Sequence, residues 1–380
     1  MFSSRLNVSA GVNRITRRLG ELRAAGTPII DLTESNPTRA GIEYPAAEIS
    51  RLLADSRALS YEPEPAGLPS AREAVARYYA ERGQAVSPDR ILLTSSTSEG
   101  YAWLFKLLAD PGDEVLVPRP SYPLFDYLAA LESVRVTQYP LIYDGAWRID
   151  LDALRHSITP RARAIVVVNP NNPTGSFLRR DEYEALANLC RDHGLAIVSD
   201  EVFSDYALSD EPRRISTLAA FNDAPVFTLS GLSKIAGLPQ LKLGWMLVNR
   251  PEAMARLEFI ADTYLSVSTP VQWAASGLLA LRESIQRQIL ARLRANLRIL
   301  QTQFGSGSPM RVLRVEGGWY AIVQVPRIRS EEEWTLMLLE QNHLLVQPGF
   351  FYDFENEAFL VLSLLTPETV FAEGIGKWAI

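Results

Sequence analysis

AIVVVNPNNPTGSFLRRDEYEALANLCRDHGLAIVSDE, residues 164 to 201, decides how this chain folds. AIVVVN (164 to 169) and AIVSD (196 to 200) are short runs that are apolar on both faces, as strands inside a parallel sheet must be. Between them, Arg180 to His193 carries a helical pattern that Gly194 ends. Strand, crossover helix, strand is the repeating unit of a parallel α/β sheet.

Outward from this unit, the same alternation runs from about Arg90 to Val248. ILLT (91 to 94), EVLVP (114 to 118), VRVTQY (134 to 139), VFTL (226 to 229) and WMLV (245 to 248) are the other expected strands, with Glu99 to Leu108 among the covering helices. Pro251 to Phe304 reads as a long helical stretch broken near Ser268, Thr269 and Pro270. RVLRVEGG, WYAIVQVP, a helix at Glu331 to Asn342, LLVQPG and FLVLSLL then alternate strand and helix on a smaller scale. The expected fold is α/β: a large domain with a mostly parallel seven-stranded sheet covered by helices, plus a smaller α/β domain. Residues 39–270 are expected to form the large domain. Residues 1–38 join the small one, and 271–380 supply a long helix and the small C-terminal domain.

With 380 residues and 47% hydrophobic content, the chain can bury one large core and a smaller second one. The net charge of −6 comes with no basic cluster, which argues against nucleic acid and for small-molecule and protein partners. The one cysteine, Cys190, sits in a helical pattern as core filler, and no disulfide can form within the chain. His156, His193 and His343 are far apart and lack the spacing of a metal site. The segment from Met1 to Gly26 suggests a solvated entry helix, and no run reaches the roughly 20 apolar residues of a membrane span. A soluble, cytoplasmic protein is expected.

In an open parallel sheet, ligands sit beyond the carboxyl ends of the strands. Five expected strands run into polar turns there: TSSTSEG, PRPSYP, NPNNPTG, SDEVFSDY and SGLSK. Within SGLSKIAGLPQLKLGW (230 to 245) stands a lone lysine, Lys234, directly after the apolar run VFTL. An unpaired ammonium is costly to desolvate. Such a lysine either snorkels to water or is used chemically, with a depressed pKa or in a covalent bond.

These motifs resemble the class I/II aminotransferases of the aspartate aminotransferase-like superfamily, the fold type I pyridoxal-phosphate enzymes. The resemblance runs from DLTESNPT (31 to 38) to LLTPETVF (364 to 371), with NPNNPTG, SDE and SGLSK in the family's order, and GLSK and SNPT look most like the alanine aminotransferase-type branch. It implies pyridoxal 5'-phosphate as cofactor and transfer of an amino group from an amino acid or amine to a 2-oxo acid by ping-pong chemistry. Lys234 then matches the Schiff-base lysine and general acid/base, and Asp200 the carboxylate that keeps the ring nitrogen protonated. Asn172 matches the amide that bonds the ring's 3-oxygen, and Tyr122 the aromatic ring cover. For the phosphate, the family pattern points to the backbone N–H groups of Thr97, Ser98 and Glu99, the Ser233 hydroxyl and the Lys242 cation. Tyr61 matches a tyrosine that reaches the phosphate of the neighbouring subunit, which implies a homodimer with shared active sites.

Three positions depart from the family pattern. Lys242 stands where an arginine is common and gives a compact charge in place of a bidentate fork. Phe203 stands where a tyrosine usually follows the aspartate by three. Near the C-terminus the family's R-x-S, whose arginine grips the substrate α-carboxylate, is replaced by Val361 in FLVLSLL. A valine cannot hold a carboxylate. Arg39, just past SNPT, is a candidate substitute, with Ser35 and Asn172 as further substrate contacts. Thr263 occupies the position of a second, dicarboxylate-reading arginine, so dicarboxylate substrates are disfavoured. The missing grip also leaves open a lyase, decarboxylase or cyclase acting on a non-standard amino substrate, because the same cofactor serves those reactions.

Overall fold

The computed structural model describes residues 2–6 and 11–378. In chain order its strands are Ile30–Asp31 (β1), Ile91–Thr94 (β2), Glu114–Arg119 (β3), Arg135–Tyr143 (β4), Trp147–Ile149 (β5), Ala162–Val168 (β6), Ala196–Asp200 (β7), Val226–Gly231 (β8) and Gly244–Val248 (β9). They continue with Arg311–Val312 (β10), Tyr320–Gln324 (β11), Leu344–Leu345 (β12), Gln347–Pro348 (β13) and Phe359–Ser363 (β14).

The large sheet has the order β2-β9-β8-β7-β6-β3-β4-β5. Pairing is parallel from β4 through β3, β6 and β7 to β8, while β9 runs antiparallel to both of its neighbours. All seven expected strands are in it. The sheet has eight strands rather than seven, because β5 folds back as an antiparallel edge strand on β4, a three-residue run too short to announce itself in the sequence.

Period-two alternation explains why the central strands are apolar throughout. Ile165 and Val167 of β6 pack with Tyr183, Leu186, Leu189 and Cys190 of the helix Arg180–His193 on one face. Ala164, Val166 and Val168 pack with Leu104 and Phe105 of the helix Thr97–Leu108 and with Leu257 of Pro251–Tyr264 on the other. Gly194 ends the first of these helices in the left-handed conformation, φ 67°, which a residue without Cβ adopts at no steric cost.

The long helical stretch resolves into Pro251–Tyr264, Thr269–Ala280 and Arg282–Gln303, so a second break falls at Leu281. Ile285, Ile289, Leu293, Leu297 and Leu300 line one face of the last helix and enter a core shared with β11, β14 and the helices Glu331–Gln341 and Glu368–Trp378. β10, β11, β14 and β13 form a separate four-stranded sheet. β1 pairs in parallel with β12, carrying the N-terminal segment onto this smaller unit. Near the start of the chain, Arg14–Ala24 is helical, capped by the Asn13 side chain on Thr16 N–H. Residues 1 and 7–10 of the expected entry helix lie outside the described residues.

Candidate active site

β8 ends at Gly231, and the short helix Leu232–Ile235 places Lys234 just beyond the carboxyl end of the sheet. A Cβ at position 231 would come within 2.8 Å of the Leu243 carbonyl oxygen, so the close approach of these two segments requires glycine. Lys234 Nζ lies over two rings, 4.8 Å from the centroid of Trp319 and 5.5 Å from that of Phe203. Burial pushes the amine down to about 8, against the opposing pull of the Asp200 carboxylate. Tyr206 Oη donates to the Lys234 carbonyl at 2.6 Å, and Gln286 Nε2 donates to that of Ile235 at 2.8 Å, which fix the backbone that carries the amine.

Asp200 is the last residue of β7, level with Leu229 of β8. Its carboxylate accepts Tyr101 Oη at 3.1 Å and the Val202 N–H at 3.2 Å. Burial nevertheless raises it to about 6; the two hydrogen bonds and Lys234 only partly offset the desolvation. The helix Thr97–Leu108 brings Tyr101 to this point, one turn after Thr97.

The loop after β3 and the loop after β6 are tied together by Asn171, whose Nδ2 donates to the Pro120 carbonyl and whose Oδ1 accepts Ser121 Oγ, both at 3.0 Å. Tyr122 and Asn172, the next residues along each loop, therefore line one cavity of ≈ 500 Å³. Ser35 lines it as well.

At the other end, the backbone of β9 meets the start of the helix Thr97–Leu108. A Cβ on Gly244 would sit 2.8 Å from Thr94 Oγ1 and 2.9 Å from the Ser96 carbonyl carbon. Ser96 caps the helix, its Oγ accepting the Glu99 N–H at 3.2 Å and its carbonyl the Gly100 N–H at 3.1 Å. Of the three expected phosphate donors, Glu99 N–H is thus occupied within the protein, while Thr97 and Ser98 stand in the first turn, where helix N–H groups have no intrahelical acceptor. Glu99 carboxylate accepts Ser95 N–H at 2.6 Å and Ser266 Oγ at 2.7 Å. Lys242, exposed and two residues before Gly244, holds a left-handed φ of 49°. Ser233 is half-buried beside Lys234.

Two expected residues stand apart from this cluster. Arg39 is exposed and does not line the cavity. Tyr61 is 76% exposed, beside a small separate hollow with Leu265 and Ser266. Val361 is 1% exposed and packs in the core with Ile322, and it does not line the cavity.

A family model described as aminotransferase class I and II matches residues 27–371. The chain belongs to that family. Glutamate-pyruvate aminotransferase AlaA of Escherichia coli is 31% identical to it over 281 residues, 72% of this chain and 69% of the relative. LL-diaminopimelate aminotransferase of Dehalococcoides mccartyi is 27% identical over 373 residues, covering 96% and 94%. Among solved structures, an alanine aminotransferase from Pyrococcus furiosus superposes with a TM-score of 0.89 at 25% identity, covering 100% of this chain and 98% of that one.

This class I and II aminotransferase is a pyridoxal-phosphate-dependent transferase of the aspartate and alanine aminotransferase fold. Its residues fit the cofactor. Asn172 lines the cavity, and among the described residues its amide makes no hydrogen bond: Oδ1 is buried without a partner, and Nδ2 is the donor that a ring 3-oxygen needs. Gly244 lets β9 approach the backbone of Ser96 and Thr97 at the helix start, where a side chain would intrude.

Several of the aminotransferase's site residues were not anticipated from the sequence. Tyr101 lies on the same helix face as Thr97, four residues on, and that i,i+4 spacing was the available signal. Trp319 follows a Gly-Gly pair in the link to β11, and no local pattern connects it to Lys234. Phe203, expected near the ring, stacks edge-on against Trp319 with centroids 5.3 Å apart.

Proposed function

We propose that Lys234 anchors the cofactor aldehyde covalently as its Schiff-base lysine and carries the proton to and from the amine-bearing carbon of the substrate. An amine held near pKa 8 over Trp319 and beside Asp200 carries this reading, because it is a nucleophile and proton carrier close to neutral pH. When bound, pyridoxal phosphate supplies an electron sink for that carbon. Asp200, held by Tyr101, supplies the negative charge that keeps a ring nitrogen protonated. Asn172 orients the ring's 3-oxygen, and Tyr122 covers the ring face. Thr97 and Ser98 N–H groups, Ser233 and Lys242 hold the phosphate; Glu99 supports that turn through its carboxylate. Ser35 and Asn172 meet the substrate in the cavity, which Arg39, exposed at the surface, does not line. The amino group passes from an amino acid or amine to the enzyme and then to a 2-oxo acid.

The assembly we infer is a homodimer with shared sites. Leu59, Tyr61 and Phe259 are 90%, 76% and 78% exposed; Leu59 is two residues from Tyr61, and Phe259 lies on the helix Pro251–Tyr264, whose Ala261 lines the hollow beside Tyr61. Residues 1–38 and the chain from about 271 are read as the smaller unit, supported by the β1–β12 pairing, with Thr269–Ala280 packed on Pro69–Glu81 as its root in the large one. A cytoplasmic location is also inferred, consistent with a chain whose single cysteine is buried and unpaired. No described helix is long and apolar enough to cross a membrane.

Borohydride reduction of the cofactor-loaded enzyme followed by peptide mapping tests the assignment. The phosphopyridoxyl label is expected on Lys234; a label on another lysine overturns it. Light scattering after size exclusion should give twice the 42.3 kDa chain mass. Pyruvate and ammonia released from serine would instead favour the lyase reading.

A further inference from the structure

The position that grips the substrate carboxylate elsewhere in the family is filled here by apolar core, and its neighbours show what stands in its place. Val361 of β14 faces Ile322 of β11 on one side and Gln347 of β13 on the other. Directly opposed residues of an antiparallel pair project from the same face of the sheet. Val361 and Ile322 are each 1% exposed, whereas Gln347 is half-buried and lines the ≈ 500 Å³ cavity with Ser35, Tyr122, Asn172, Tyr320 and Tyr352. Among the described residues, none that lines that cavity carries a charge.

The neutral groups are held in place. Tyr352 Oη donates to Gln347 Oε1, so the two N–H groups of Gln347 Nε2 are left to meet a ligand. Tyr320 lines the cavity with Ser35 and lies opposite Ser363, whose Oγ donates to the Glu34 carbonyl at 2.7 Å. Glu331 accepts the N–H groups of Phe350 at 2.6 Å and Phe359 at 2.7 Å, clasping the loop that carries Gln347 and Tyr352 against β14. Arg119 is committed to Glu355 at 2.9 Å. A carboxylate entering here would shed its water for amide and phenol donors without a counter-charge, which is costly, whereas a carboxamide or ester carbonyl is fully satisfied by the same donors.

We propose that Gln347 is the specificity-determining residue of this site, a neutral amide anchor in place of a cation. The enzyme accordingly takes amino substrates whose amine-bearing carbon carries an uncharged hydrogen-bonding group at least as well as those with a free carboxylate. This rests on the amino-transfer reading of the same cavity.

The test uses cofactor-loaded enzyme and two probe pairs. Calorimetry compares 3-phenylpropanamide with 3-phenylpropanoate, which lack the amine and report binding alone. Single-turnover absorbance compares L-phenylalaninamide with L-phenylalanine. The wild-type enzyme should bind the amide probe as tightly as the acid or better. Gln347→Arg should move the preference toward the acid by tenfold or more, and Gln347→Leu, which adds no charge to a half-buried position, should weaken the amide by about tenfold. A wild-type preference of tenfold or more for the acid, failure of both probes to bind, or an unchanged amide affinity in Gln347→Leu overturns the proposal. A calorimetric preference as stated, with no absorbance change from any amine, would instead overturn the amino-transfer reading and leave the anchor standing.

Discussion

Lys234 Nζ sits 4.8 Å above the Trp319 ring, so the reactive amine of the large sheet is roofed by a residue of the link into β11. The ring offers a cation its negative face but no hydrogen-bond acceptor, a poor replacement for the water that burial strips from the ammonium, and the desolvation lowers the amine's pKa.

That environment makes stability depend on pH in a defined direction. Lys234 is held at about 8 in the folded protein against 10.5 otherwise. Below pH 8 it is charged in both states and the full cost of burial is present. From pH 8 to about 10.5 the unfolded chain binds more protons, so stability rises across that window. Cofactor-free Lys234→Met should therefore be more stable than cofactor-free wild type at pH 7, by up to about 3 kcal/mol, with the gap closing toward pH 10. Urea unfolding at several pH values checks this, and a gap that widens with pH would contradict it.

Tyr101→Phe removes one of the hydrogen bonds that hold Asp200 ionised. Asp200 should then titrate above its present value of about 6, moving the acidic limb of the kcat/KM profile to higher pH. A loss of roughly 1 kcal/mol corresponds to about a fivefold lower kcat. A pH profile identical to wild type would show that Tyr101 only packs.

Gly244→Ala places a methyl 2.8 Å from Thr94 Oγ1 and 2.9 Å from the Ser96 backbone. Overpacking there should cost about 1–3 kcal/mol and weaken cofactor binding, since the displaced turn is the one bearing Thr97 and Ser98. Gly376→Ala, which meets nothing within 4 Å, is the control and should leave cofactor affinity as it is. Fluorescence titration with pyridoxal phosphate reads both.

Arg179 and Glu316, 2% and 3% exposed at their side chains, pair at 3.2 Å between the start of the helix Arg180–His193 and the link before β11. Among the described residues Arg179 Nε and Nη1 have no hydrogen-bond partner, so the guanidinium relies on Glu316. Glu316→Gln should destabilise the protein by about 3–5 kcal/mol, and the double variant Arg179→Met, Glu316→Met by less, because no charge is then left buried alone. Denaturant midpoints of the single and double variants decide it; a double variant as unstable as the single would contradict the argument.

Lys242→Ala should raise the dissociation constant for pyridoxal phosphate by about tenfold or more, and Lys242→Arg should restore it, since the phosphate needs a cation there and a fork is at least as good as a point charge. Equal affinity in the alanine variant would move the phosphate cation elsewhere.

How much of this was legible beforehand follows from how far each contact reaches along the chain. The strands β2, β3, β4, β6, β7, β8 and β9 could be placed because their burial is written in consecutive residues, and Gly194 marked a helix end by its own backbone preference. β5 and the break at Leu281 were missed, because three residues carry too little pattern and Leu281 is a good helix former whose turn is imposed by packing. The cofactor loops were legible because each sits at the end of a recognisable strand. Arg39 was offered as a carboxylate anchor because of its nearness in sequence to Ser35, yet it lies exposed outside the cavity.

The sequence by itself determined the parallel sheet, the order of its loops, the lysine at the end of β8 and the valine at position 361, because each is a property of a residue and its near neighbours. Only the tertiary structure decided that Tyr101 holds Asp200 from 99 residues away, that Trp319 roofs Lys234, and that Gln347 stands beside Val361. Such contacts depend on how distant elements pack and on strand register; a shift of one residue would send Asp200, Gln347 or Val361 to the opposite side of its sheet.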